Sequence, residues 1–148
     1  MARSRVQGGR KLKAWLKKAK SAQARSKSTS VGFFATAKYS DGTPVAAVAA
    51  WNELGTETIP ERPFFRQSIE GADKVIMPVL KDGIDPMDMA LDSRTAGKVG
   101  LVMQARIQRS ITDLRTPANA PLTIKMKGSS NPLIDTGFMR QSVTYKVE

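Results

Sequence analysis

The sequence predicts an α+β fold in which a small antiparallel sheet is covered by helices. The segments 31–38 and 142–147 have the apolar or alternating composition of β-strands. Most of the chain between them places apolar residues at helical spacing, bounded by proline, glycine and capping residues. Because a single strand is not stable by itself, the two strands are expected to pair with each other.

A basic arm precedes the first predicted strand. Residues 1–30 hold ten of the 24 Lys and Arg residues and none of the 13 Asp and Glu residues, so most of the net charge of +11 lies there. An apolar stripe at helical spacing predicts an amphipathic helix over 10–25. Its members are Leu12, Trp15, Leu16 and Ala19. We expect two units, an arm at 1–30 and a single α+β domain at 31–148.

Three interpretations of the arm stay open at this level. Clustered Lys and Arg bind nucleic-acid phosphates without reading sequence, and Trp15 offers a ring that stacks on a base. A basic amphipathic helix also suits an anionic membrane surface or a targeting segment. The third interpretation is docking on a partner protein. The side chains offered to a partner are Arg3, Arg5, Arg10, Lys11, Lys13, Trp15, Lys17, Lys18 and Lys20.

A turn around Gly42 follows the first strand and leads into a short, alanine-rich helix predicted over 44–52. Thr43 is a suitable capping residue, and Pro44 suits the first helical position because its missing amide costs nothing there. Gly55 is expected to end this helix, since glycine adopts left-handed backbone angles without steric cost.

Pro63 is expected to open the next helix. A proline further along, Pro78, is expected to kink or end that helix near Met77, because it removes one backbone hydrogen bond and clashes with the preceding turn. The apolar residues of this segment recur at steps of three and four and predict one buried face. They are Phe65, Ile69, Ala72, Ile76 and Leu80.

The longest helix is predicted over 86–114, with Asp85 as its cap and Pro86 as its first residue. Gly97 and Gly100 lie inside it, at about 1 kcal/mol each relative to alanine, which indicates either close packing or a break. The predicted apolar face consists of Ala96, Val99, Met103, Ile107, Ile111 and Leu114.

The C-terminal part contains one ambiguous segment, one short helix and one strand. Residues 122–127 fit either a helical turn or a short strand. A capped helical turn is predicted to start near Asp135. The last strand, 142–147, alternates and is predicted to be buried on one face. That face consists of Val143, Tyr145 and Val147.

The composition argues against several classes of function. The chain has neither histidine nor cysteine, so it lacks the commonest general base, the commonest metal ligand and every thiol nucleophile. We therefore expect a protein that is not an enzyme, with no catalytic residue, no cofactor, no metal and no small-molecule substrate. It also contains no apolar run long enough to cross a membrane, so no membrane-spanning segment is expected, and a membrane is not among the expected partners. The only acidic cluster, which capping explains better than metal binding, consists of Asp82, Asp85, Asp88 and Asp92.

The stretch "VAAWNELGTETIPERPFFRQSIE" (48–70) concentrates aromatic and charged residues around one loop. Its prolines hold the preceding residues extended, which makes the loop stiff. Trp51, Phe64 and Phe65 suit either the domain's own core or a protein interface, where aromatics and arginine are the enriched residue types.

This stretch resembles the signature of the neck and tail-completion proteins of long-tailed bacteriophages. In that family a helix of small residues precedes an Asn-Glu-aromatic-Gly step and then "IPxRPFxRxxxE". The closing segment "NPLIDTGFMRQSVTYKV" (131–147) resembles the family's "PLIDTGxLRxSI" followed by a strand. Two motifs in the expected order carry the resemblance, although Leu54 stands where an aromatic residue is common.

The resemblance implies a structural virion protein at the head–tail junction. It would form a ring of identical subunits, assembled in the bacterial cytoplasm, that completes the tail or joins it to the head connector, with other neck, connector and tail proteins as partners. The arm is more basic than expected for this family, so its role does not follow from the resemblance. As a separate hypothesis, it faces packaged DNA or docks on an acidic connector protein. The alternative function is a free-standing protein that binds nucleic acid non-specifically through its arm.

Two sets of residues follow from the resemblance. A ring is closed by contacts between two different patches of neighbouring subunits, and one such contact is expected at the stiff loop. The residues assigned to it are Trp51, Asn52, Glu53, Glu61, Arg62, Phe64, Phe65 and Arg66. The turn expected to direct the last strand back onto the sheet consists of Asp135, Thr136 and Gly137.

Overall fold

The structure is a computed structural model that describes residues 9–148. Within that range it contains helices and one two-stranded antiparallel sheet, which confirms the predicted α+β class. The elements are α1 (Gly9–Arg25), β1 (Thr29–Phe33), α2 (Val45–Leu54), α3 (Phe64–Ile69), α4 (Asp73–Gly83), α5 (Ser93–Asp113), α6 (Pro121–Lys127), α7 (Phe138–Gln141) and β2 (Val143–Val147). Within this range, no helix is both long and apolar enough to cross a membrane.

The two strands pair as predicted, but β1 is shorter than the segment 31–38 and is shifted toward the N-terminus. It ends at Phe33 because the chain turns at once, with the amide of Ala37 donating to the carbonyl of Phe34 at 3.2 Å. β2 alternates between sheltered and exposed residues, as expected for a strand with one covered face. The register pairs Thr29 with Val147, Val31 with Tyr145 and Phe33 with Val143.

Helix α2 begins at Val45, with Pro44 at the capping position and no capping side chain. Thr43 was expected to cap it, and this prediction is wrong. The amide of Thr43 instead donates to the carboxylate of Asp41 at 2.9 Å, so both residues belong to the preceding turn. Gly55 ends the helix as predicted, with a φ of 74°.

The helix predicted to run on from Pro63 is divided into α3 and α4. Gly71 lies between them with a φ of 66°, a left-handed conformation that interrupts the helix. Pro78 does not end α4, which continues to Gly83. Lys74, whose carbonyl loses its helical partner to the proline, is exposed, so water can satisfy it at little cost.

The break also divides the buried face predicted for that helix. Ala72 is buried, while Phe65, Ile76 and Leu80 are half-buried. Ile69 is 50 % exposed, because it precedes the interruption and no longer lies on the same side as the residues of α4.

Helix α5 starts at Ser93, later than the position predicted from Asp85. The carboxylate of Asp85 accepts a hydrogen bond from the amide of Met87 at 2.6 Å and closes a local turn instead. Asp92 is the true cap, accepting from the amide of Thr95 at 2.7 Å. Sequence rules identified the right type of residue but selected the wrong one of two aspartates.

The core lies between α5, the sheet, α2 and α3. In the predicted face of α5, the side chains of Val99 and Met103 are half-buried and the other members are buried. Gly100 lies where α5 crosses the sheet, since a Cβ atom placed there would come within 2.4 Å of the Tyr145 ring. The buried cluster consists of Val45, Ala49, Phe64, Ile107, Ile111, Leu114, Leu133, Met139 and Val143.

The ambiguous segment 122–127 lies in a helix, α6, which ends at Gly128 with a φ of 68°. The helical turn expected near Asp135 starts only at Phe138. Gly137 has a φ of 81° and directs the chain into α7 and from there into β2.

Candidate functional site

The aromatic residues of the stretch 48–70 divide between the core and the surface. Phe64 is 1 % exposed and fills the core, with its ring edge-to-face against Phe33 at 6.3 Å and Phe65 at 6.4 Å between centroids. Phe65 is half-buried and lies over the backbone of Gly32. Trp51 is 46 % exposed on α2. Of the three aromatics, Trp51 therefore has the most surface to offer a partner.

Arg62 is buried at 5 % exposure and joins two distant segments of the chain. Its guanidinium donates to the Asn52 Oδ1 atom at 3.0 Å, the Pro117 carbonyl at 3.0 Å and the Asn119 Oδ1 atom at 3.0 Å. Burial lowers the pKa of the Arg62 guanidinium from its usual value. Among residues 9–148 no carboxylate pairs with it, so neutral oxygens alone hold this charge in place.

Glu53 connects α2 to the start of α3. Its carboxylate accepts from the amide of Phe65 at 2.7 Å and from the amide of Arg66 at 3.1 Å, where a negative charge suits the helix dipole. The side chain of Arg66 donates to the same carboxylate at 2.9 Å and also pairs with Glu61. These charges thus hold the loop in shape from within the subunit.

The set of residues assigned to a subunit interface is therefore not a single surface. Arg62 and Phe64 are buried inside the subunit and have no surface for a neighbour to contact. Trp51, Glu61 and Arg66 are exposed. The interface itself stays a prediction, and these three residues are the part of the set with most surface to form it.

An open groove of about 420 Å³ lies beside Trp51. One wall comes from α2 and the turn that precedes it, and the other comes from the segment that leads into α7. The walls are about equally polar and apolar, and the rings of Tyr39 and Phe138 meet edge-to-face at 5.3 Å between centroids. The lining includes Tyr39, Val48, Trp51, Asn52, Leu133, Asp135, Thr136, Gly137, Phe138 and Met139.

This groove brings together the two motifs on which the family resemblance rests. Trp51 belongs to the stretch 48–70, whereas Leu133 and Phe138 belong to the closing segment 131–147. Each motif thus contributes one wall.

Charged groups at the groove perturb one another. Burial raises the pKa of the Tyr39 hydroxyl, and the nearby carboxylates of Asp135 and Asp41 raise it further. Burial lowers the pKa of Lys127, although the charge of Asp135 opposes this shift. The ammonium of Lys127 donates to the carbonyls of Asn131 and Pro132 at 3.4 Å. The groove therefore presents aromatic rings together with the charged groups of Lys127 and Asp135.

The predicted turn 135–137 is one part of this wall. Thr136 Oγ1 accepts from the amide of Phe138 at 3.3 Å, and Gly137 supplies the left-handed conformation. The exposed side chain of Asp135 makes no capping bond, which corrects its predicted role as a helix cap.

The arm forms the predicted helix as α1, whose bounds match the expected 10–25 closely. Its C-terminal end is fastened to the domain: Ala22 is 3 % exposed, and Arg25 forms an ion pair with Asp88. The amide of Lys27 donates to the carbonyl of Leu91 at 2.8 Å. The predicted contacts Arg3 and Arg5 lie outside the described residues. The other predicted contact residues of the arm are all exposed: Arg10, Lys11, Lys13, Trp15, Lys17, Lys18 and Lys20.

The aspartates of the acidic cluster have separate local roles. Asp92 caps α5, Asp85 closes a turn, and Asp88 pairs with Arg25. Over the described part of the chain, no three acidic residues come together as metal ligands would.

The sequence analysis did not predict three residues that hold Arg62 in place or line the groove. Asn119 orients the guanidinium of Arg62 from a loop that lies 57 positions away, and Tyr39 and Lys127 enter the groove from segments with no recognisable motif. Nothing in the local sequence indicates these contacts, because folding alone brings the segments together.

Comparison with known proteins adds no further assignment. No protein-family model, no curated protein and no solved structure matches this chain.

Proposed function

We propose that this protein is a structural component of the phage head–tail junction, where a ring of its subunits completes the tail or joins it to the head connector. In this proposal it acts by assembly and not by catalysis. It is part of the virion and contacts other neck, connector and tail proteins.

The observation that carries the proposal is the convergence of the two family-like motifs at one groove. The stretch 48–70 contributes Trp51 and the closing segment contributes Phe138, and both rings are exposed. Exposed aromatic residues are typical of protein interfaces.

The ring contact in this proposal places a segment of the next subunit in the groove, against Trp51. Trp51 lies on helix α2, whose backbone is already ordered before assembly, so little conformational freedom is lost on binding. Tryptophan buries about 150–250 Å² when fully covered. Covering the exposed 46 % of Trp51 removes roughly 100 Å² from water and contributes about 2.5 kcal/mol per contact.

Mass photometry and negative-stain electron microscopy of the purified protein test the proposal. We expect closed rings for the natural sequence. The substitution Trp51→Ser should weaken each subunit contact by about 50-fold, which corresponds to the energy above. Leu101→Ser is the matched control, because Leu101 is 58 % exposed and does not line the groove.

A genetic test addresses the role in the particle. A phage that carries this gene should yield separate heads and tails, or tailless particles, when the gene is deleted. Intact infectious particles after deletion would overturn the proposal. Two results would show that the groove does not form the ring contact. One is a protein that stays monomeric at all concentrations, and the other is an equal loss of ring stability in Trp51→Ser and Leu101→Ser.

A further inference from the structure

Helix α1 has two chemically different sides. The apolar stripe of Leu12, Trp15 and Leu16 runs along one side, and Ala22 continues it to the point where the helix meets the domain. At 100° per residue, the basic residues occupy the opposite half of the circumference. We call this half the basic face; it consists of Arg10, Lys11, Lys13, Lys17, Lys18, Lys20 and Arg25.

The basic face is directed away from the domain and is almost free of counter-charges. Its residues are exposed, and α1 contains no acidic residue. Of the residues of the basic face, only Arg25 forms an ion pair within the described part of the chain, with Asp88 near the C-terminal end of the helix. Six like charges on one helix repel one another and destabilise it when no anion is near. An anionic partner outside the domain would therefore stabilise the helix.

The spacing of the charges fits an extended polyanion. Arg10, Lys13, Lys17 and Lys20 form one row at intervals of three and four residues. At a rise of 1.5 Å per residue the steps along this row are about 4.5–6 Å. Long lysine side chains adjust over such distances, so one row can follow consecutive charges of a regular anionic chain.

The other side of the helix is covered by the domain only near its C-terminal end. A helix on a bilayer buries its apolar side in the lipid. In α1, Ala22 is buried and lines a cleft with Trp15 and Met89, whereas the side chains of Leu12, Trp15 and Leu16 are 57 %, 55 % and 44 % exposed. The regular row of charges favours an extended polyanion over a lipid surface, and binding to anionic vesicles is one of the outcomes tested below.

We propose that the basic face of α1 is a binding site for the phosphates of double-stranded DNA and that it binds without regard to sequence. Each contacted phosphate releases condensed counterions, and the gain in entropy drives binding. The proposal does not rest on ring formation, since one subunit presents the complete face.

Fluorescence anisotropy of the full-length protein with labelled DNA duplexes tests the site. Two duplexes of equal length and unrelated sequence are titrated between 50 and 200 mM salt. We expect equal affinities for both and a steep fall of affinity with salt. The triple variant Lys13→Gln, Lys17→Gln, Lys20→Gln should lower the magnitude of the log–log salt slope by up to about 3 and the affinity at low salt by about 100-fold.

Three variants serve as controls. Lys74→Gln, Lys81→Gln, Lys98→Gln removes the same charge from exposed positions outside α1 and should leave the slope unchanged. Replacing the three arm lysines by arginine should preserve binding, since the charge stays. The stripe variant Leu12→Ser, Trp15→Ser, Leu16→Ser should also bind with the natural slope.

Four outcomes would overturn the proposal. The first is no duplex binding by the natural sequence at 50 mM salt, and the second is an equal loss of affinity in the two Lys→Gln triple variants. The third is loss of binding in the stripe variant. The fourth is co-sedimentation with vesicles of anionic phospholipid without binding to a duplex at the same phosphate concentration, which would assign the face to membranes. Mass photometry of the same samples reports ring formation separately, so failure at DNA leaves the assembly proposal intact.

Discussion

Gly97 and Gly100 of α5 have different surroundings, so replacing each by alanine distinguishes the effect of close packing from that of helix propensity. A Cβ atom at Gly100 would lie 2.4 Å from Cδ2 and 2.7 Å from Cγ of Tyr145, and 2.9 Å from Cγ2 of Thr29. The Cγ atom of a tyrosine moves only by rotation about its Cα–Cβ bond, so either the ring changes its rotamer or the strand or the helix has to shift. At Gly97 a Cβ atom would meet nothing within 4 Å.

The two Gly→Ala substitutions should therefore have opposite signs. Alanine favours a helix by about 1 kcal/mol over glycine, so Gly97→Ala should stabilise the protein by about that amount. At Gly100 the same gain is set against overpacking of up to about 3 kcal/mol, which leaves a net destabilisation of about 2 kcal/mol. The pair should differ by roughly 3 kcal/mol, or about 6–12 °C in Tm.

Thermal and urea unfolding, followed by circular dichroism, measure this difference. The double variant Gly100→Ala, Tyr145→Ala provides the check on cause: without the ring, adding the Cβ atom at position 100 should cost much less. Equal stabilisation by Gly97→Ala and Gly100→Ala would refute the close approach of α5 to the sheet. A loss at position 100 that persists in the absence of the Tyr145 ring would assign the effect to another contact.

Two further predictions concern Arg62 and Asp92, the N-terminal cap of α5. Arg62→Ala should lower the free energy of unfolding in urea by about 3 kcal/mol, because it leaves the partly buried acceptors of Asn52 and Asn119 without their donor. Arg140→Ala, at an exposed position, should change it by no more than about 0.5 kcal/mol. Similar losses in both variants would show that Arg62 does not hold the two segments together. The hydrogen bond from the amide of Thr95 lowers the pKa of Asp92 below its usual 3.8. The contribution of the ionised Asp92 carboxylate to the free energy of unfolding is therefore fully present above the unfolded-state pKa. It is lost as the pH falls through the lower pKa of the folded state. Asp92→Asn should reduce the loss of stability between pH 7 and pH 3, and an undiminished loss would exclude Asp92 as a source of it.

The parts of the fold that depend on local patterns were predictable from the sequence. The alternation in β2, the amphipathic stripe of α1 and the glycine that ends α2 each express a preference of a few neighbouring residues. The start of α5 was not predictable from the sequence, because Asp85 and Asp92 satisfy the same capping rule. The structure selects Asp92, where the hydroxyl of Thr95 also reaches the carbonyl of Gly83 at 3.2 Å, and this contact depends on the packing of α4 against α5.

The candidate site shows the same division. The family resemblance identified the two motifs, and the sequence itself shows that aromatic residues are concentrated in the first of them. It did not distinguish buried Phe64 from exposed Trp51, because both are large aromatic residues at helix positions of the same stretch. Nor did it reveal that the motifs meet at one groove, since more than 60 positions separate them and no local preference encodes that distance.

The burial of Arg62 divides the stretch 48–70 into positions that the fold requires and positions that are open to change. A planar guanidinium reaches acceptors on α2 and on the loop at 117–119 at the same time, which the single ammonium of lysine does not match in geometry. Replacing this arginine therefore leaves three acceptors in need of new donors, whereas the exposed Trp51 can be replaced without disturbing them.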